Sequence, residues 1–259
     1  MMAVIEAGQV RMTIDETHGA RISSFMIGDL ELTVTEADET IHWGVYPMAP
    51  WVGRLRDGRF SHKGQRVQMP LNMPPHSIHG TTYDRPWSQV NSTTFETDLG
   101  PDWPYPGKAV QRFGLNENGL DLTMEVHSDG PSFPAACGWH PWFLRQLARG
   151  GAAELSFDAK AMFRRNEDYL VDGVLVPPSD GPWDDCFLDL NGPVEILWSD
   201  ALRLSFSSDT RHWVIYTMPE QAFCVEPQTG PPDALNIEPR LVTPGNPLIA
   251  HAKMRWELL

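Results

Sequence analysis

Apolar and polar positions alternate with a two-residue period along much of the chain. Leu120, Leu122, Met124 and Val126 fall between Asp121, Thr123, Glu125 and His127, the pattern of a strand with one face on a core. The same period runs through Val67, Met69 and Leu71, through Leu202, Leu204 and Phe206, and through Ala252, Met254, Trp256 and Leu258. The last run reaches the final residue, so the C-terminus is expected to be a strand within a sheet. No stretch of a dozen residues holds a helical apolar stripe free of Gly and Pro; the nearest candidate is the short segment 142–147.

Turn signals separate these runs at Asp57-Gly58, Glu117-Asn118-Gly119, Asp129-Gly130-Pro131, Asp172-Gly173 and Asn191-Gly192-Pro193. Frequent turns and half-buried strands predict an all-β fold, a large antiparallel sandwich with few short helices. No fixed-period repeat appears, and the Pro-rich segments 101–107 and 177–182 are each followed by more strands, so they read as long loops. Residues 1–259 are therefore expected to form a single domain.

Composition narrows the function classes. With 20 Lys+Arg against 34 Asp+Glu the formal net charge is −14, which argues against nucleic acid, whose binding rests on neutralising phosphates. No run approaches the roughly 20 apolar residues of a spanning helix, and the first residues lack a basic segment followed by an apolar one. A soluble, cytoplasmic protein with no membrane partner is expected. The 21 Gly and 23 Pro exceed the roughly 12% usual for the two together, in keeping with many turns. The three cysteines, Cys137, Cys186 and Cys224, form neither a disulfide framework nor a zinc ribbon.

Five segments carry candidate chemistry. Trp51, Arg54 and Arg56 combine an aromatic face with planar donors suited to hydroxyl groups, although arginines of an acidic chain also pair with surface carboxylates. His76 and His79 have a His-x-x-His spacing, but a Pro-rich loop lacks the helix that would align both imidazoles, so no metal is expected. His140 lies among Trp139, Trp142 and Phe143, a surround that desolvates an imidazole and suits either a general acid or a core histidine. Glu226 ends an apolar strand before a loop carrying Gln228, Asp233 and Asn236; burial would raise its proton affinity and make it a base near neutrality. Asp184 and Asp185 follow Trp183, as in a sugar grip or a turn. No nucleotide-binding glycine loop, nucleophile elbow or HExxH motif is present, leaving an acid/base enzyme without a cofactor.

Taken in order, these segments resemble the aldose 1-epimerase (mutarotase) family, whose fold is the galactose mutarotase-like β-supersandwich. The family's substrate arginine falls on Arg54, with Gly53 in place of the usual Asn, and its His-Gly pair falls on His79-Gly80. Its histidine general acid falls on His140 in His140-Pro141-Trp142-Phe143, a substrate aspartate on Asp184 or its neighbour Asp185, and its base on Glu226. Pro232-Asp233-Ala234-Leu235-Asn236 matches the segment that follows the base. The resemblance implies interconversion of the α and β anomers of a hexose. Glu226 would take the proton of the C1 hydroxyl while His140, protonated at the start, gives one to the ring oxygen.

Arg54, His79, Asp184 and Gln228 would then hold hydroxyls, and Trp51, Trp139, Trp142 or Trp183 would pack the apolar sugar face. Two alternatives remain at this stage. One is an anionic sugar, a hexose 6-phosphate or a sulfonated sugar, bound by Arg56, Arg59, Arg85 or Arg145. The other is a sugar-binding domain without catalysis. A glycosidase would need two flanking carboxylates, and the set offers His plus Glu. The partner implied is a small-molecule sugar, with monomer and homodimer equally compatible.

Overall fold

The computed structural model describes residues 2–259 and is built almost wholly of strands. The larger main sheet has eleven. Ten run in the spatial order Met2–Ala7, Val10–Asp15, Arg21–Ile27, Val45–Met48, Gly138–Leu144, Ala222–Gln228, His212–Tyr216, Asp184–Leu190, Ala159–Arg165 and Val171–Val176, with Leu30–Glu31 paired beside Arg21–Ile27. The second sheet has eight, in the order Ser88–Asn91, Thr94–Asp98, Gly107–Asn116, Gly119–Ser128, Leu248–Leu258, Leu202–Ser208, Val194–Trp198 and Glu154–Ser156. Pairings within both are antiparallel.

The alternating residues of both sheets meet in one apolar cluster that extends from Val10 to Trp256. Edge-on rings join the layers: Phe25 to Trp256 at 5.5 Å, Phe143 to Phe206 at 6.3 Å and Trp213 to Phe206 at 5.5 Å. Each such ring contributes about 1.5–3 kcal/mol by burial and about 0.5–1.5 kcal/mol more through the edge contact. Helical structure among the described residues is confined to Ala234–Ile237 and the tight 3-10 turns Thr40–His42 and Arg56–Gly58. The expected all-β sandwich with few short helices is what the chain forms. No helix among the described residues is long and apolar enough to cross a membrane.

Three local expectations differ. The helical candidate at 142–147 begins in the strand Gly138–Leu144, which lies between Val45–Met48 and Ala222–Gln228. A central strand buried on both faces has a continuous apolar run instead of alternation, and periodicity cannot separate that from a helix. Asp172-Gly173 lies inside the strand Val171–Val176, where Gly173 adopts φ +80°, and the hairpin reverses earlier, at residues 166–170. The strand containing Val67 stops at Gln68, short of Met69 and Leu71, because Pro70 has no N–H to continue a ladder.

The second face of the larger sheet carries two smaller apolar clusters. Tyr46, Met48, Trp142 and Cys224 belong to one, and Phe163, Cys186, Leu188 and Val214 to the other. Between them the sheet opens into a cleft.

Candidate active site

Strand alternation selects what the cleft receives. Along Ala222–Gln228, Phe223 and Val225 enter the main core while Glu226 and Gln228 line the cleft. Along Gly138–Leu144, Trp139 and Phe143 enter the core while His140 and Trp142 line the cleft. The register pairs Gly138 with Gln228 and Trp142 with Cys224, so His140 stands opposite Glu226. Tyr46 pairs with His140, Val214 with Glu226 and Cys186 with Val214. One row of residues thus crosses five strands with the His–Glu pair inside it. The next row brings Trp142, Cys224, Tyr216 and Asp184.

Nε2 of His140 lies 3.2 Å from Oε1 of Glu226. The other carboxylate oxygen accepts from Nε2 of Gln228 at 2.9 Å. Tyr46 and Trp142 stack on the imidazole at centroid distances of 4.7 and 5.5 Å, and His79 meets it edge-on at 5.0 Å. The aromatic surround expected from the sequence is therefore real but differently composed, since Tyr46 supplies a face while Trp139 and Phe143 point to the core. His140 is 5% exposed and Glu226 2%.

Burial decides the protonation of this pair. Leaving water holds the Glu226 carboxyl well above its ordinary range, with the Asp184 charge adding to the effect. Leaving water also holds His140 well below the usual imidazole value, reinforced by His79 and His42. Both directions favour the uncharged pair, with its single proton on Glu226. The form expected at the start of ring opening, with the proton on His140, therefore requires a proton transfer within the pair, whose atoms lie 3.2 Å apart.

The remaining candidates converge unevenly. Arg54 lines the cleft from the short strand Arg54–Leu55, paired with Ser77–Ile78. His79 follows that partner strand with φ +61°, and burial together with the charge of Arg54 pushes its imidazole down to about 3. The backbone N–H of His79 donates to the Gly53 carbonyl at 3.0 Å. The glycine after it has φ +82°, and a Cβ there would lie 2.0 Å from the Ala49 carbonyl oxygen, so no larger residue fits. Gly53 has φ +55°, the left-handed region that Gly and Asn tolerate best, which explains why Gly serves where the resembling family has Asn.

Asp184 and Asp185 both line the cleft. Asp185 is committed to Arg165, Oδ1 to Nε 3.0 Å, whereas Asp184 stands 3.9 Å from the same guanidinium. Burial raises the proton affinity of Asp184, opposed by the charges of Arg54 and Arg165. Asp184 is thus the freer acceptor.

Trp51 does not reach the cleft. It is buried in the main core with its ring 6.0 Å from Trp103, and of the four tryptophans proposed for sugar packing only Trp142 lines the site. Trp139 is spent on the core, its Nε1 donating to Gln111 at 3.1 Å, and Trp183 packs on Phe157 and Phe187. Sequence reasoning missed Tyr46, Arg165, Tyr169 and Tyr216, none of which sits in a recognisable motif; cross-strand register brings Tyr46 and Tyr216 in, and a hairpin brings Arg165 and Tyr169.

The His-x-x-His pair does not converge, because Nδ1 of His76 accepts from the Asp57 N–H at 3.1 Å, away from the cleft. His140, Cys224 and Glu226 offer nitrogen, sulfur and oxygen within 4.8 Å of one another, the donor types of zinc. The Cys224 thiol does not line the cleft and Gln228 already holds one Glu226 oxygen, so the donors that face a ligand are the pair alone. The cleft has a cavity volume of about 120 Å³.

The profile of aldose 1-epimerase matches residues 3–255. The uncharacterized protein YihR of Escherichia coli (strain K12) is 26% identical over 94% of this chain and 89% of its own length. Among solved structures, a galactose mutarotase-like protein from Clostridium acetobutylicum superposes with a TM-score of 0.86 at 16% identity, covering 99% of this chain and 95% of its own. The GalM/aldose epimerase homologue from C. elegans gives 0.85 at 14% identity, covering 100% and 99%. Identities this low establish the common fold, while the profile spans nearly the whole sequence. The chain belongs to the aldose 1-epimerase family.

Proposed function

We propose that the protein interconverts the α and β anomers of a neutral hexose. The observation that carries this reading is the His140–Glu226 pair, opposed at 3.2 Å inside a cleft that also presents Arg54, Asp184, Gln228 and the Trp142 ring. The anomeric hydroxyl and the ring oxygen share one carbon, so two groups this close serve both oxygens at once.

In ring opening Glu226 takes the proton of the C1 hydroxyl, the C1–O5 bond breaks as the C1–O1 bond becomes a carbonyl, and His140 protonates O5. Rotation about C1–C2 presents the other carbonyl face. On reclosure O5 attacks C1 and returns its proton to the imidazole, while Glu226 returns its own to O1. The pair carries one proton throughout. The uncharged form that burial favours is the form it holds while the open-chain aldehyde is bound. Before opening, the proton passes from Glu226 to His140 across their contact.

Charge placement supports a neutral substrate. Arg56 is bound to Asp233, Arg59 to Gln68, Arg85 to Asp98 and Arg145 to backbone carbonyls, and none of the four lines the cleft. The two arginines that do, Arg54 and Arg165, are matched there by Asp184 and Asp185. Saturation-transfer NMR between the anomeric protons tests the proposal. Accelerated exchange is expected for neutral aldoses with little for hexose 6-phosphates; no acceleration for any aldose would refute it.

A further inference from the structure

Tyr169 stands where packing does not account for it. It lies in the hairpin between Ala159–Arg165 and Val171–Val176, lines the cleft and keeps 42% of its surface exposed. Its backbone has φ +60°, a region that an aromatic residue rarely adopts and that persists only where the surroundings impose it. The imposition comes from Asn166. The Asn166 Oδ1 accepts the N–H groups of Asp168 and Leu170 at 3.0 and 2.9 Å, and its carbonyl accepts that of Tyr169 at 3.1 Å.

The strained ring meets two guanidinium groups. The ζ carbons of Arg54 and Arg165 each lie 4.7 Å from its centroid. Arg165 is anchored independently by Asp185 at 3.0 Å. Arg54 is not: among the described residues its side chain forms no ion pair or hydrogen bond, and the Tyr169 ring is its one directed contact. A long side chain with free donors loses affinity for a ligand unless something else fixes it beforehand.

We infer that Tyr169 is a positioning residue, holding the Arg54 guanidinium where its donors meet the hydroxyls of the bound sugar. The inference rests on the mutarotase reading of the cleft. It requires the ring and not the hydroxyl, which has no hydrogen-bond partner among the described residues.

Anomer-exchange kinetics on Tyr169→Ala, Tyr169→Phe, Arg54→Ala and the double variant Tyr169→Ala/Arg54→Ala test it. Tyr169→Ala is expected to raise KM about twofold to thirtyfold, the range of a cation–π contact, with kcat unchanged. Tyr169→Phe keeps wild-type constants, and Tyr169→Ala adds nothing once Arg54 is alanine. A wild-type KM for Tyr169→Ala, full additivity in the double variant, or a Phe variant as impaired as the Ala variant overturns the inference. If the wild type binds a neutral hexose without exchanging its anomers, the mutarotase reading fails by itself and the same cycle is read on the dissociation constant. If it binds none, both fail.

Discussion

His140 and Glu226 are brought to 3.2 Å by strand register, since the Cα pairs Gly138–Gln228 and Trp142–Cys224 bracket them on adjacent antiparallel strands. Neither side chain reaches out from a loop, so both are held by a sheet whose other face is the main core. Substitutions at the two positions should therefore change the chemistry and leave the fold intact. General acid and base terms are each worth on the order of 10²–10⁴-fold, and groups acting as a unit lose most of the rate when either is removed. Glu226→Gln and His140→Asn are expected to keep the wild-type circular dichroism while equilibrating a fresh α-anomer little faster than buffer. Polarimetry showing near-wild-type rates for either variant would remove the pair from the mechanism.

The pH profile follows from the directions in which burial moves the pair. The competent form carries one proton. A second proton must go to an imidazole held well below its usual value, so the acid limb lies under the ordinary histidine range. The last proton leaves a carboxyl held well above its usual value, so the alkaline limb lies far above the ordinary carboxylate range. A plateau across neutral pH is expected in kcat/KM, with both limbs belonging to the pair and not to either residue. A profile that falls on its alkaline side through the normal imidazole range would indicate an independently titrating histidine instead.

Much of this was legible from the sequence, and the exceptions have physical causes. Period-two runs such as Leu120 to Val126 marked strands of the second sheet because one of their faces stays polar. The strands that build the site, Gly138–Leu144 and Ala222–Gln228, lack that alternation because both faces are buried. Their chemistry showed through only as odd residues, His140 and Glu226, in apolar runs. Trp51 illustrates a different ambiguity, since an aromatic near a candidate arginine reads the same from sequence whether it faces the cleft or, as here, the core. Tyr46 and Tyr169 were beyond reach, because sequence distance hides both cross-strand partners and the end of a hairpin.

Asp184 and Asp185 differ in what already occupies them, and this separates their roles. Asp185 is bound to Arg165 at 3.0 Å, and Asp184 contributes to the raised proton affinity of Glu226. Asp184→Asn is expected to raise KM about two- to tenfold, the worth of a hydrogen bond to a neutral hydroxyl. Removing its negative charge also eases ionisation of Glu226, so the alkaline limb shifts to lower pH. Asp185→Asn leaves that limb in place. An Asp184→Asn profile superposable on the wild type, with a shifted one for Asp185→Asn, would exchange the assignments.

Gly80 fixes the turn that delivers His79 to the edge of the His140 ring, and two glycines allow its steric role to be isolated. Both Gly80 and Gly64 have left-handed backbones, φ +82° and +77°, but a Cβ on Gly80 would meet the Ala49 carbonyl oxygen at 2.0 Å while one on Gly64 would meet nothing within 4 Å. Gly64→Ala is expected to cost only the conformational term, about 1–2 kcal/mol. Gly80→Ala adds a backbone clash that cannot be relieved by rotating a side chain, so a loss at least about 2 kcal/mol larger is expected, within the range of strain and overpacking. Because the Gly80 turn carries His79, this variant should also raise KM, whereas Gly64→Ala should not. Denaturant titration and anomer-exchange kinetics on the two proteins check both parts; equal stability losses would mean that the turn yields at Ala49, and an unchanged KM would detach His79 from the sugar.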